Sequence, residues 1–345
     1  METMRYPQNL KKGGTIGFVA PSFGCATEPY KSAFLNAQKK FQEMGYQCQL
    51  GSNCYASEGI GISNTPEKCG KELTESYRSV ENDCLISCGG GELMCEILEY
   101  VDFDAIREAP PKWYLGYSDN TNFTYLLTTL CDTASVYGPC AADFGMEPWH
   151  PSLNDTFGIL TGEVRTVQNY DGWEKADGSL KTEETPLEPY HITEPMILKK
   201  YPDQDTAFEG RLLGGCLDCL VNLKGTEFDK TTEFIEKYKE DGILWFLEAC
   251  ELNVFSIRRA IWQLDHAGWF QYTKGFLIGR PMMFDQPAMG LDQYHAVTDL
   301  LAKYQVPVIM DVDLGHLHPA MPLITGSYAN VRVEGNSIEI HMECR

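Results

Sequence analysis

The sequence predicts an α/β protein in two parts: an N-terminal doubly wound parallel-sheet domain and a C-terminal α/β domain with mixed strands. Three observations predict it. Short apolar runs alternate with amphipathic helical patterns along most of the chain, the signature of a parallel sheet covered on both faces. Glycine or serine follows several of those runs directly, at the carboxyl ends of strands where such sheets bind ligands. With 345 residues, 43% of them hydrophobic and 12% aromatic, the chain can fill two sizeable cores. The boundaries read as 1–145 for the first domain, 146–206 for a linker with loops over the cleft, and 207–345 for the second.

The elements follow in order. Thr15-Ile16-Gly17-Phe18-Val19-Ala20 is a buried strand stopped by Pro21-Ser22. A helix from about Glu28 to Met44 closes at Gly45, and a second strand covers Gln47 to Leu50. Residues 52–70 are an excursion rich in Gly, Ser, Asn and Cys. A further helix leads to the strand Cys84–Cys88, which runs into Gly89-Gly90-Gly91 and a helix from about Glu92 to Tyr100. The apolar run Trp113-Tyr114-Leu115 ends at Gly116, and a helix with Phe123, Leu126, Leu127 and Leu130 on one face starts near Thr121. After Val136-Tyr137-Gly138-Pro139 the pattern loosens. Residues 145–205 hold many Pro, Gly, Asp, Glu and Thr, with Trp149 and Trp173.

From Phe208 alternation resumes. Arg211-Leu212-Leu213 leads to a Gly214-Gly215 turn and a helical run through Leu223. Ile243–Leu247 is a strongly apolar strand with Glu248 at its carboxyl end. Asn253 can cap a helix whose apolar face is Val254, Ile257, Ile261 and Leu264. Gly275–Gly279 and Pro307–Met310 are strands separated by a helix around Leu291 to Tyr304. Asp311 to Pro319 then carries Gly315-His316-Leu317-His318. A hairpin of about 328–333 and 337–342, turning at Gly335-Asn336, ends the chain.

Composition excludes several functions. The net charge is -21, from 49 acidic against 28 basic residues, so the surface should repel nucleic acid and anionic membranes. The expected partner is a small molecule or peptide. No apolar run approaches membrane-spanning length, and the N-terminus has no apolar core for a secretory signal. Thirteen scattered cysteines read as small buried hydrophobes in a reducing cytoplasm. Cys216 and Cys219 form a lone C-x-x-C with no second pair, a poor zinc pattern. No metal or cofactor is expected.

Three side chains stand at strand ends: Ser118, Glu248 and His316. Ser118 sits on a sharp strand-to-helix turn, which lifts its hydroxyl clear and aims backbone N–H groups at a developing oxyanion. Serine needs a neutral imidazole to take its proton, and the imidazole needs an acceptor to fix its tautomer. Glu248 fits that acceptor and His316 that base, with Gly315 leaving room for close approach. Read singly, each has an ordinary role: Ser118 as a helix cap, Glu248 as a helix N-terminal acid, His316 as a loop histidine. The triple glycine could equally bring backbone close to an oxyanion or to a phosphate. On that second reading the chain is a non-catalytic small-ligand or anion-binding protein.

Several segments together resemble the LD-carboxypeptidase family, serine peptidases of the S66 type. They are Gly-Tyr-Ser-Asp at 116–119, Tyr-Gly-Pro at 137–139 and Gly-Arg-Leu-Leu-Gly-Gly at 210–215, with Phe-Leu-Glu at 246–248, Gly-Arg-Pro at 279–281 and Gly-His-Leu-His-Pro at 315–319. The 87–91 segment and the His-x-His-Pro arrangement resemble the microcin C immunity branch, the MccF-like peptidases. The resemblance implies a cytoplasmic, metal-free, homodimeric serine peptidase with the active site at the interface of its two domains and Ser118, His316 and Glu248 as its triad. It implies oxyanion donors at Asp119 and at the Gly90-Gly91 turn. Its substrate would be an L,D-linked cell-wall peptide or a peptidyl or aminoacyl adenylate. In the second case an aromatic residue of the 145–205 loops, Trp173, would stack on the nucleobase. The family usually carries Asn after Gly-Gly in the second domain, where this chain has Cys216.

Overall fold

The computed structural model describes residues 3–175 and 182–345. Residues 176–181 of the expected linker lie outside the described residues. The elements in chain order begin with β1 (Thr15–Val19), α1 (Tyr30–Glu43), β2 (Gln47–Leu50), α2 (Pro66–Arg78), β3 (Cys84–Ser87), α3 (Phe103–Glu108), β4 (Trp113–Gly116), α4 (Thr121–Cys131) and β5 (Ser135–Tyr137). Next come α5 (Pro151–Thr161), β6 (Thr166–Gln168), β7 (Gly172–Trp173), β8 (Glu194–Pro195) and β9 (Lys199–Tyr201). The second half holds β10 (Thr206–Cys216), α6 (Leu217–Leu223), α7 (Thr231–Lys237), β11 (Ile243–Glu248), α8 (Val254–His266) and β12 (Thr273–Gly279). It ends with α9 (Gln293–Leu301), β13 (Val308–Val312), β14 (Leu323–Thr325), β15 (Tyr328–Glu334) and β16 (Ser337–Glu343).

Two sheets carry the fold. The first has the order β14-β5-β4-β3-β1-β2, parallel except for β14, which pairs antiparallel with β5. The second has the order β6-β16-β15-β10-β11-β12-β13-β9, with four parallel strands, β10 to β13, flanked by antiparallel ones. The predicted class, a parallel α/β sheet beside a mixed one, is what forms. Every residue of β11 is buried, which explains its unbroken apolar run. Helix α1 buries Ala33, Phe34, Ala37 and Phe41, a stripe at helical spacing. Asn253 caps α8 by accepting from the Ser256 N–H at 3.0 Å.

Several expectations are revised. Helix α2 starts at Pro66, inside the expected 52–70 excursion, because Thr65 accepts from the Lys68 N–H and proline is tolerated in the first turn. The segment after the triple glycine is a 3-10 helix, Met94–Tyr100. Gly214 and Gly215 are not a turn: β10 runs through them to Cys216, and a Cβ on Gly215 would come within 2.6 Å of the Thr121 side chain. The stretch 146–206 holds α5 and short strands, and β6 and β9 extend the second sheet. Among the described residues no helix is long and apolar enough to cross a membrane.

Candidate active site

Ser118, Glu248 and His316, far apart in sequence, meet where the two sheets face each other. Strand β4 ends at Gly116, and a short 3-10 turn of Ser118–Asn120 precedes α4. Ser118 has φ +62, in the left-handed region that residues with a side chain seldom adopt. His316 Nε2 lies 2.8 Å from Ser118 Oγ, and His316 Nδ1 lies 2.9 Å from Glu248 Oε2. Glu248 is the last residue of β11, and His316 sits on the loop after β13. Gly315, at φ +93, brings that loop against the carboxylate: a Cβ there would stand 2.5 Å from Glu248 Oε2.

The electrostatics follow from burial and pairing. Burial alone would raise the Glu248 carboxyl; the His316 charge, with hydrogen bonds from His316, Tyr137 and Cys216, outweighs it and holds Glu248 below the ordinary carboxylate range. Burial disfavours the His316 cation, yet Glu248 and the Cys250 thiol beside it keep His316 well above the ordinary histidine range.

The glycine turn faces the serine. A Cβ on Gly90 would lie 3.2 Å from Ser118 Cβ and 3.3 Å from its Oγ, a tight contact that the bare glycine backbone avoids. Among the described residues the N–H groups of Gly90 and Asp119 have no hydrogen-bond acceptor. The Asp119 carboxylate points into the protein. It accepts from Ser22 Oγ at 2.5 Å, the Met94 N–H at 2.9 Å and Asn122 Nδ2 at 3.0 Å, and burial lifts it to about 6. Only the Asp119 backbone is therefore available to the site. Gly91 also borders the cleft, but its α-carbon packs against Ser22 and Gly61.

Asn120 stands where the generic nucleophile turn has glycine. Its Nδ2 donates to the Gly89 carbonyl at 2.9 Å and the Tyr117 carbonyl at 3.1 Å, and its Oδ1 accepts from Tyr114 Oη at 2.5 Å. The amide thus ties the glycine turn to the serine turn. Neither this role nor that of Tyr137 was read from the sequence. Tyr137 lies in the Tyr-Gly-Pro segment, which was the available signal.

Trp173 does not join the site. It is 5% exposed, lies 5.0 Å from the Phe284 ring and stacks on the Arg280 guanidinium at 5.1 Å, and its Nε1 donates to the Pro195 carbonyl at 3.2 Å. An indole packed on all sides cannot offer a face to a ligand. His318 stacks on Tyr190 at 4.6 Å. Among the described residues no group of three or more His, Cys, Asp or Glu is placed to hold a metal ion.

Ser118 and His316 border a cleft of about 920 Å³. Among the described residues, those lining it include Glu92, Asp143, Asp218 and Glu251 and the exposed rings of Phe23 and Tyr30, and no Lys or Arg. Repulsion from Glu251 and Asp218 adds to desolvation in raising the Glu92 carboxyl. The Cys216 and Cys219 thiols also border the cleft. The Cys216 thiol is pushed up by its neighbour Cys219 and by burial, the reverse of a reactive thiolate.

Known proteins match most of this chain. Residues 16–138 match the model of the LD-carboxypeptidase N-terminal domain, and residues 209–331 match that of the C-terminal domain. The chain is 27% identical to the microcin C7 self-immunity protein MccF of Escherichia coli, over 96% of this chain and 94% of that protein. It is 25% identical to a protein of Bacillus subtilis (strain 168) named probable murein peptide carboxypeptidase, over 94% of this chain and 90% of that protein. The structure of MccF in complex with glutamyl sulfamoyl guanosine superimposes with a TM-score of 0.81 at 23% identity, over 99% of each chain.

Proposed function

This chain belongs to the LD-carboxypeptidase family, peptidase S66, and on that premise we propose that it hydrolyses an amide of a small peptide substrate with Ser118 as nucleophile, His316 as general base and Glu248 as the carboxylate that orients it. It is, with its family, a carboxypeptidase-type hydrolase. The observation that carries the catalytic reading is the unbroken run of hydrogen bonds from Ser118 Oγ through His316 to Glu248, at 2.8 and 2.9 Å, opening into the cleft. A serine placed only to cap a helix needs no imidazole at its hydroxyl.

The steps follow from these positions. His316 Nε2 takes the Ser118 hydroxyl proton as Oγ attacks the carbonyl carbon. The N–H groups of Gly90 and Asp119 hold the oxyanion. His316 then gives the proton to the leaving amine. Water, with its proton drawn off by His316, clears the acyl group.

Two substrate classes fit the family: an L,D-linked cell-wall peptide and a peptidyl or aminoacyl adenylate. One relative is named a probable murein peptide carboxypeptidase and another a microcin C7 self-immunity protein, and MccF structures hold glutamyl sulfamoyl guanosine and aspartyl sulfamoyl adenosine. Among the described residues four acidic side chains and no Lys or Arg line the cleft, which supports a substrate carrying a free ammonium group.

The test is mass spectrometry of the wild type and Ser118→Ala with an L,D-linked muropeptide tetrapeptide and an aminoacyl sulfamoyl adenylate. Turnover of one substrate by the wild type, reduced about 10³-fold or more in the variant, is expected. Equal turnover by both proteins would refute Ser118 as nucleophile. Tight binding without turnover, insensitive to Ser118→Ala, would favour a binding protein instead.

A further inference from the structure

Tyr137 ends β5, and its phenol lies between the nucleophile turn and the carboxylate. It is 2% exposed. Its hydroxyl donates to Glu248 Oε1 at 2.6 Å, and its oxygen accepts the Ser118 backbone N–H at 3.2 Å. With the two bonds of His316 these contacts close a ring: Ser118 N–H to Tyr137 Oη, Tyr137 to Glu248, Glu248 to His316, and His316 back to Ser118 Oγ. The ring passes through both sheets and returns to the residue where it began.

We propose that Tyr137 is a positioning residue of the hydrolytic site, holding the Ser118 backbone in its left-handed conformation and occupying the second oxygen of Glu248. The inference rests on the serine-hydrolase reading of the site. Three features carry it. Ser118 at φ +62 needs a restraint on its backbone, and its N–H is fixed by the tyrosine rather than turned to the oxyanion. Glu248 has two oxygens in a buried place; one serves His316 and the other would lack a strong partner without the phenol. Burial and the Glu248 charge keep the phenol protonated, so it remains a donor at every working pH.

The consequence is electrostatic as well as geometric. A hydrogen bond into Glu248 draws off part of the negative charge felt by His316. The other titratable groups facing this pair are Tyr117 of the nucleophile turn, Cys216 at the end of β10, Cys219 in α6, Cys250 beyond β11, and Glu92 across the cleft. Tyr137→Phe leaves all of them in place and removes one hydroxyl.

The experiment is an NMR titration of the His316 imidazole, assigned with His316→Gln as the blank, in the wild type and Tyr137→Phe. It is paired with the rate at which a fluorophosphonate labels Ser118. In Tyr137→Phe the His316 pKa should rise by about half a unit or more, and labelling at neutral pH should slow by about tenfold or more. Installing 3-fluorotyrosine at 137, a stronger donor of nearly the same shape, should shift His316 the opposite way. This second substitution keeps the test valid if Tyr137→Phe folds poorly. Superimposable titrations, or shifts of one sign in both substitutions, would overturn the proposal. The titration needs no turnover: a wild type that the fluorophosphonate fails to label would count against the hydrolase reading, while the His316 shift would still decide the role of Tyr137.

Discussion

At Ser118 the left-handed backbone, the imidazole at 2.8 Å and the bare Gly90 turn all concern one oxygen atom. Each can be perturbed separately. Because Glu248 holds His316 above the ordinary histidine range, the base is protonated, and idle, at pH values where a free histidine would already be neutral. Rate should therefore rise with pH through the His316 pKa, and a kcat/KM–pH profile should place its acid limb above about 6.5. Glu248→Gln removes the charge, so the limb should move to lower pH while kcat falls, by less than in Ser118→Ala. A limb unmoved by Glu248→Gln would remove the carboxylate from the triad. Gly315→Ala puts a methyl group 2.5 Å from Glu248 Oε2 at a positive φ. It should reduce kcat about tenfold or more by displacing His316, with a smaller change in KM; steady-state kinetics measure both.

At the level of elements, the loop after β13 must be rigid for His316 to stay in place. Arg280, just after β12, donates to the Asp311 carbonyl at 2.6 Å and pairs with Asp313, and both side chains are buried. Asp313 also accepts the Tyr170 N–H at 2.8 Å, and its carbonyl accepts from Met321. Trp173 lies over the same guanidinium. Arg280→Met would leave Asp313 as an uncompensated buried charge, so it should cost about 3–5 kcal/mol of stability, read as a loss in Tm and urea midpoint. Trp173→Phe should leave KM within about twofold, because the ring supports Arg280 and does not border the cleft; a large rise in KM would restore Trp173 as a substrate contact. Asn120→Ala strips partners from the buried Tyr114 hydroxyl and the Gly89 carbonyl. The same denaturation measurements should show about 1–3 kcal/mol lost.

For the whole molecule, we propose 1–145 and 207–345 as two domains that are coupled throughout. Strand β14, from the second half, completes the first sheet beside β5. One apolar core joins Phe18, Ile86 and Leu115 of the first sheet to Leu212, Phe246 and Ile340 of the second. Unfolding should then be a single transition. Fluorescence of variants retaining either Trp113 of β4 or Trp245 of β11 should give coincident urea midpoints, and separated midpoints would refute the coupling. The charge of -21 and the acidic cleft should attract an amine-bearing substrate, so its KM should rise with salt while that of its N-acetylated form changes little.

The sequence by itself determined much of this protein. Alternating apolar runs and helical stripes specified a parallel sheet and a mixed one, because burial on one or both faces dictates that periodicity. The strand-end positions of Ser118 and Glu248 were legible because each closely follows an apolar run, that of His316 because its loop leaves the run ending at Met310, and Gly315 because close approach needs a missing side chain. Tertiary structure decided what depends on partners distant in the chain. Trp173 reads identically as a stacking surface or as packing, and only its place over Arg280 distinguishes them. Gly214-Gly215 reads as a turn until β11 and Thr121 close against it, holding it extended. Tyr137 and Asn120 carry no local periodicity that marks a role; their work is hydrogen bonding between segments, and that is fixed only when both sheets are assembled around the same serine.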